Sequence, residues 1–345
     1  MLAAEIKALA VAEPARQPLH ALKQIVEPVE PFLGAVAQGL AEQVQTFDRE
    51  IAAYAQYALT NQGKQLRPAL VALSAGAVGK AEESLVTVAV IIEMVHLATL
   101  VHDDVMDEAV LRRQQPTLAA NWGNQISVLL GDCLFAHALK LAASFPTPEI
   151  CRAVSAATKT VCSGEILQTH RQRQFRFSRE EYFKVLEMKT AELFALSCEL
   201  GAWLSGAAPA ERAALRRFGL ALGTAYQVYD DCLDLFGSEA SAGKSLGTDL
   251  ANGKMTLPVL VALERSGIAD RARLETFIGQ WDERHFDGVI ELLEKYDALD
   301  ESRGAIHRFL EAARQCLAPL PKTESRLALI ALTGFLEQQT SALGY

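Results

Sequence analysis

The longest apolar run of the sequence covers residues 85–101 and leads directly into Asp103-Asp104-Val105-Met106-Asp107. A stretch of that kind can rest in a lipid bilayer or in the middle of a large core. Spanning a bilayer takes roughly 20 apolar residues, and this run falls short while carrying Glu93 and His96 in its middle. It therefore predicts a buried central helix wrapped by other elements. Half of the residues are hydrophobic and only 22% are charged, enough apolar material for one large core. Aromatic residues make up 7%, and the recurring alanine and leucine favour helices over sheets.

Helical periodicity dominates the rest of the chain, and no alternating run bounded by turn dipeptides reads as a strand. The pattern predicts an all-α protein, with helices over about 33–60, 68–78, 83–107, 125–143, 147–173, 178–205, 210–236 and 255–266, and more beyond 270. Ser178 followed by Glu181 forms a capping box ahead of Tyr182, Val185 and Leu186. Residues 237–253 form a long Ser/Gly-containing loop, a common form for a lid. No linker or composition shift divides the chain, so residues 1–345 are expected to form one domain, with 1–30 as an N-terminal extension.

The net charge of −9 excludes the basic stripe that nucleic-acid binding rests on. Six scattered cysteines show neither zinc spacing nor a disulfide framework, and the N-terminus lacks the basic-then-apolar order of a signal peptide. These features predict a cytoplasmic protein with no transmembrane segment.

Two acidic pentapeptides carry the chemistry. Asp103 and Asp107 lie one turn apart on one helix face, as do Asp230 and Asp234 of Asp230-Asp231-Cys232-Leu233-Asp234. Like charges at that spacing repel, and a helix C-terminus is the wrong end of the dipole for them. Two such arrangements point to bound cations. Magnesium fits, because it takes oxygen ligands and usually joins one or two carboxylates to substrate phosphates. The alternating spacing and central glycine of a calcium loop are absent.

Cations answer the acids. Gly63-Lys64-Gln65-Leu66-Arg67-Pro68 places Lys64 and Arg67 at a helix N-terminus, a sound diphosphate site. Arg112 and Arg113 follow the first cluster closely enough to reach a phosphate held there. Gln227 shares a face with Asp230, where its amide would donate to a phosphate oxygen, and Lys244 and Lys254 would close over bound substrate. His96 lies two turns before Asp103 on the same face and is expected to touch substrate. The run Arg171, Arg173, Arg176 and Arg179, interleaved with Phe175 and Phe177, reads as a solvated connection.

These residues resemble the trans-isoprenyl diphosphate synthases, or polyprenyl synthetases. The match includes the motif at Gly63, both aspartate clusters, Arg112-Arg113, Gly131-Asp132, Gly164-Glu165-Ile166-Leu167-Gln168, Lys189-Thr190-Ala191 and Gly253-Lys254-Met255-Thr256-Leu257-Pro258. The resemblance implies long antiparallel helices around a deep central cavity, and a homodimer. It implies catalysis by Asp103, Asp104, Asp107, Asp230, Asp231 and Asp234, with Asp103, Asp104, Asp107, Asp230 and Asp234 binding three magnesium ions once substrate is present. Lys64, Arg67, His96 and Arg113 match the isopentenyl diphosphate site. Arg112, Lys189, Thr190, Gln227, Lys244 and Lys254 match contacts to the allylic diphosphate. The family usually has glycine after the paired arginines, where this chain has Gln114, and often ends on a basic residue, where this chain has Leu343-Gly344-Tyr345.

The implied activity joins isopentenyl diphosphate to an allylic diphosphate to give a trans-polyprenyl diphosphate. A growing tail anchored at Asp103 would run back beside Ala98, Thr99, Val95 and Met94. Short-chain members of the family commonly carry an aromatic residue there, so by the resemblance small Ala98 implies a product longer than geranylgeranyl diphosphate, with geranylgeranyl as the alternative and Phe135 as a second wall. A terpene cyclase is disfavoured by the second aspartate triad and the Lys64/Arg67 site, and a silent partner subunit by retention of every matched cation.

Overall fold

Proline and side-chain caps set the helix starts in the computed structural model, which describes residues 21–60, 63–79, 84–238 and 245–344. The helices are α1 Glu30–Val44, α2 Arg49–Thr60, α3 Leu66–Val78, α4 Ser84–Met106, α5 Leu118–Trp122, α6 Asn124–Ala143, α7 Pro148–Arg171 and α8 Arg179–Leu186. They continue as α9 Glu192–Leu204, α10 Pro209–Phe236, α11 Thr248–Ala251, α12 Leu257–Arg265, α13 Ile268–Gly279, α14 Phe286–Lys295, α15 Ala298–Leu317 and α16 Glu324–Ser341. Proline stands in the first turn of α7, α10 and α12, where its missing N–H costs nothing. The Ser178 capping box is formed in full, its hydroxyl accepting from the Glu181 N–H and the Glu181 carboxylate from the Ser178 N–H.

The helix expected over 33–60 is two helices. Thr46 turns its hydroxyl back onto the Gln43 carbonyl at 2.7 Å, and Phe47 leaves the helix line to lie 4.9 Å from the His137 ring of α6. A new start follows at Asp48, whose carbonyl accepts from Ile51 and Ala52. Among the described residues the departure from all-α structure is a ribbon of β1 Leu111–Arg112 and β2 Gln115–Pro116, paired antiparallel.

The α4 helix extends past the apolar run to 23 residues, long enough by length and composition to cross a membrane. It is instead enclosed by α1, α3, α6 and α9, and Leu85, Ile91, Ile92, Met94 and Ala98 are fully buried. One apolar core surrounds α4 and draws on α1, α2, α6 and α7. A second forms between α10 and α12 to α16, and α3 and α9 contribute to both. The two aspartate clusters thus end the two helices around which the cores are built.

Between α8 and α9 the chain takes one π-helical turn, Glu187–Ala191. Two glycines make room for it. A Cβ on Gly164 of α7 would stand 2.7 Å from the Lys189 nitrogen, and one on Gly223 of α10 would stand 2.7 Å from the Ala191 Cα. Such turns widen a helix locally and are frequent at functional sites; here it presents Lys189 and Thr190 between α7 and α10.

Candidate active site

At the end of α4, the 100° step between successive residues sends neighbouring carboxylates to different partners. Asp104 is buried and accepts from Arg112 Nε at 2.7 Å. Asp107 accepts from Lys254 Nζ at 3.0 Å and from the Asn252 amide at 3.1 Å. Asp103 faces Glu165 and Lys189; burial, Glu165 and Asp107 push its carboxyl up to about 7, with Lys189 and Arg112 acting against that rise. Lys189 bonds Glu165 at 3.1 Å and also donates to Gln168, both from α7. A carboxylate-crowded pocket answered by side-chain ammonium, guanidinium and amide groups is chemically suited to a hard divalent cation.

The end of α10 is organised differently. Tyr182 donates to Asp231 at 2.6 Å and the Gln227 amide donates to its other oxygen at 2.9 Å. Gln227 accepts in turn from the Thr190 hydroxyl at 2.8 Å. Burial and nearby Asp249 hold the Asp231 carboxyl at about 7 despite these bonds, and burial raises the Tyr182 phenol. Asp231, expected among the catalytic carboxylates, is thus committed to internal hydrogen bonds. Gln227, expected to donate to phosphate, spends its amide on Asp231. Asp234 receives the Asp249 N–H at 3.0 Å, and its carbonyl receives the Gly247 N–H at 2.8 Å.

The two ends are joined by the strap after α10. Lys254 reaches Asp107 of the first cluster and lies 3.6 Å from Asp249, whose backbone holds Asp234 of the second. The opposed charges of Asp249 and Asp107 raise the Lys254 ammonium pKa, outweighing its burial. Among the described residues no three carboxylate, histidine or cysteine groups form a ready-made metal cage. A magnesium site completed by water and diphosphate oxygens needs none.

A second cation group lies across α4. Arg67, His96 and Arg113 sit close enough to influence one another's charge, with Arg112 also acting on His96. Burial, reinforced by the three guanidiniums, holds His96 well below the usual imidazole range. Buried Glu93, 3% exposed, supplies the compensating charge for Arg67 and Arg113, and burial raises its own carboxyl. Arg67 lies over the Phe194 ring at 5.0 Å, and its Nε is buried without an acceptor among the described residues. A buried guanidinium donor without a partner is costly unless a ligand oxygen meets it. Arg113 packs against Gly63, where a Cβ would stand 2.2 Å from Nη2. Lys64 is exposed on the loop before α3, and Lys244 lies outside the described residues.

Arg113 and Gln114 form the tip of the ribbon with φ of 51° and 62°, as a two-residue mirror-image turn requires. Gln114 therefore takes the left-handed backbone that glycine adopts freely, and the turn keeps its shape at a conformational cost. Met94, Val95 and Ala98 are buried, and the Thr99 hydroxyl bonds the His96 carbonyl at 2.7 Å. Phe135 lies 5.5 Å from the His102 ring, one turn beyond Ala98. Glu93, Glu165, Gln168, Tyr182, Asp249 and Asn252 were not expected as site residues; only the matched motif around Gly164 pointed toward Glu165 and Gln168.

With this geometry in place, comparison with known proteins is specific. Residues 48–294 match the sequence profile of the polyprenyl synthetase family. The short chain isoprenyl diphosphate synthase of Methanothermobacter thermautotrophicus is 34% identical, over 81% of this chain and 88% of its own. The octaprenyl diphosphate synthase of Escherichia coli K12 is 33% identical over 92% of this chain and 99% of its own. A crystal structure of a polyprenyl synthase from Caulobacter crescentus, complexed with calcium and isoprenyl diphosphate, matches with a TM-score of 0.87 at 34% identity, covering 92% of this chain and 97% of that one.

Proposed function

Since the chain belongs to the polyprenyl synthetase family and is a trans-prenyltransferase, we propose that it condenses isopentenyl diphosphate with an allylic diphosphate, magnesium-dependently, to a polyprenyl diphosphate longer than geranylgeranyl diphosphate. The observation that carries the assignment of substrates is the presence of two separate cationic groups. Lys189 and Lys254 stand among the carboxylates of the first cluster, whereas Arg67 and Arg113 gather around Glu93 with His96 beside them. Two diphosphates can be held at once.

Asp103, Asp107, Asp230 and Asp234 would hold magnesium, which would neutralise the allylic diphosphate and the charge that develops as its C–O bond breaks. Asp104 keeps Arg112 aimed at that leaving group, and Lys189 and Lys254 exchange their carboxylate partners for its oxygens. Fixed charges of this kind act without reorganisation at the moment of reaction. Arg67 and Arg113 hold the isopentenyl diphosphate, with neutral His96 beside them, so that its double bond faces the allylic carbon. The alkene adds to the allylic cation, and a proton lost to the departed diphosphate restores a double bond. The apolar walls near Ala98 exclude the water that would quench the cation.

A tail passing Ala98 meets no aromatic side chain at that position of α4, which favours a long product; the octaprenyl synthase relative supports this. We read residues 1–345 as one domain acting as a homodimer through α6, where Val128 and Leu129 are 42% and 62% exposed. All six cysteines are unpaired, as in a reducing cytoplasm. The test is turnover of the purified chain alone with both substrates: activity with magnesium and none in excess chelator is expected. Turnover in chelator would overturn the metal assignment.

A further inference from the structure

We propose that Arg173 is a positioning residue that fixes Lys254 for the allylic diphosphate, an inference that rests on the role given to Lys254 above. The short helix α11 ends in a Schellman motif: the Gly253 N–H bonds the Leu250 carbonyl at 2.9 Å and the Lys254 N–H bonds the Asp249 carbonyl at 2.8 Å. Gly253 takes the left-handed conformation the motif needs, with φ of 69°. The motif leaves the carbonyls of Ala251 and Gly253 to find donors elsewhere.

Arg173, in the connection after α7, meets both. Its backbone N–H donates to the Gly253 carbonyl at 2.8 Å, and its guanidinium Nη2 to the Ala251 carbonyl at 3.1 Å. The fit is close, since a Cβ on Gly253 would stand 2.5 Å from the Arg173 Cγ. Arg173 itself adopts a left-handed backbone, with φ of 55°, a conformation that a long side chain holds only when its surroundings demand it. On the far side of the same turn, Asn252 and Lys254 donate to Asp107. The turn is therefore gripped from two directions, by Arg173 at its backbone and by Asp107 through its side chains, while Asp234 holds the start of α11 through the Gly247 and Asp249 N–H groups. When substrate draws Lys254 away from Asp107, Arg173 remains as the grip on the C-terminal turn that carries the lysine.

The experiment combines amide hydrogen exchange over residues 248–254 with steady-state kinetics of Arg173→Ala, Arg173→Gly, Lys254→Ala and the Arg173→Ala/Lys254→Ala double variant. Arg173→Ala should speed exchange and raise the allylic KM roughly three- to tenfold, the scale of one hydrogen bond. The isopentenyl KM and the melting temperature should stay put. Arg173→Gly should retain the backbone bond and show the same allylic shift without further loosening. In the Lys254→Ala background Arg173→Ala should add nothing, the non-additivity of coupled residues. Unchanged exchange in Arg173→Ala overturns the clamp. Faster exchange with an unchanged allylic KM, where Lys254→Ala raises it, overturns the positioning of Lys254. If Lys254→Ala itself leaves the allylic KM unchanged while exchange quickens, the clamp stands and the substrate role given to Lys254 fails.

Discussion

At the end of α4, Asp104 and Asp107 are answered by full positive charges, Arg112 and Lys254. At the end of α10, where the same spacing of aspartates recurs, Asp231 is answered by neutral donors, a phenol and an amide, and Asp234 accepts a backbone N–H. Identical sequence patterns thus carry different duties. Cations paired with carboxylates can change partners when a diphosphate arrives, because phosphate oxygens satisfy them equally well. A buried hydrogen-bond chain cannot, since each member left alone pays its desolvation. On the proposed mechanism the cations of the first cluster would exchange partners when diphosphate binds, whereas Asp231 of the second is held in the frame.

Breaking this contrast should have its largest effect at Asp103. Asp103→Ala should lower kcat by roughly 10²–10³-fold, the scale of losing one preorganised electrostatic contact, while its melting temperature holds, because like-charge crowding is relieved. Steady-state rates and thermal melts of the same preparation check both halves. The next effect is in stability: Tyr182→Phe should cost about 1–3 kcal/mol in urea unfolding by leaving the buried Asp231 carboxyl with one donor fewer. Lys254→Ala, the comparable truncation at the first cluster, should reduce turnover with little change in the unfolding midpoint, because its partner Asp107 is part-exposed and still accepts from Asn252. Equal stability losses in the two variants would erase the distinction.

A smaller effect is set by pH. In the unfolded chain His96 titrates near 6.5, whereas in the fold its pKa is well below that. As pH falls below about 6.5 the unfolded chain takes the proton first, so stability present at neutral pH is lost on acidification. The slope is at most about 1.4 kcal/mol per pH unit. Comparing His96→Gln with wild type isolates this from Glu93, whose raised pKa works in the opposite direction; a flatter acid limb in the variant is expected, and parallel curves would count against a neutral buried His96. The smallest change is Gln114→Gly, which should gain up to about 1 kcal/mol in thermal unfolding by relieving one left-handed residue.

How much was legible in the sequence follows the same division. The helices, the capping box at Ser178 and both aspartate faces were visible because helical spacing is local information. The break at residues 45–48 was hidden, since it contains neither glycine nor proline and depends on Phe47 finding His137 on a distant helix. Glu93 was visible only as an interruption in an apolar run, because its partners come from α3 and from the ribbon tip. The run from Arg171 to Arg179 read as solvated, yet Arg171 pairs with Glu181, Arg173 grips the strap and Arg179 binds Glu264 and Glu301. Its partners lie up to 122 residues away. That Asp231 differs in its partners from Asp104 and Asp107 was likewise beyond reach, because only packing brings Tyr182 to it.

The most direct test of the functional account is the length of the product made by wild type and by Ala98→Phe, resolved by mass after incubation with magnesium, isopentenyl diphosphate and a short allylic starter. Wild type is expected to yield chains longer than geranylgeranyl diphosphate, and the variant shorter ones, because a ring at position 98 fills space the tail requires. A wild-type product that stops at farnesyl diphosphate, or a product length indifferent to Ala98→Phe, would contradict it.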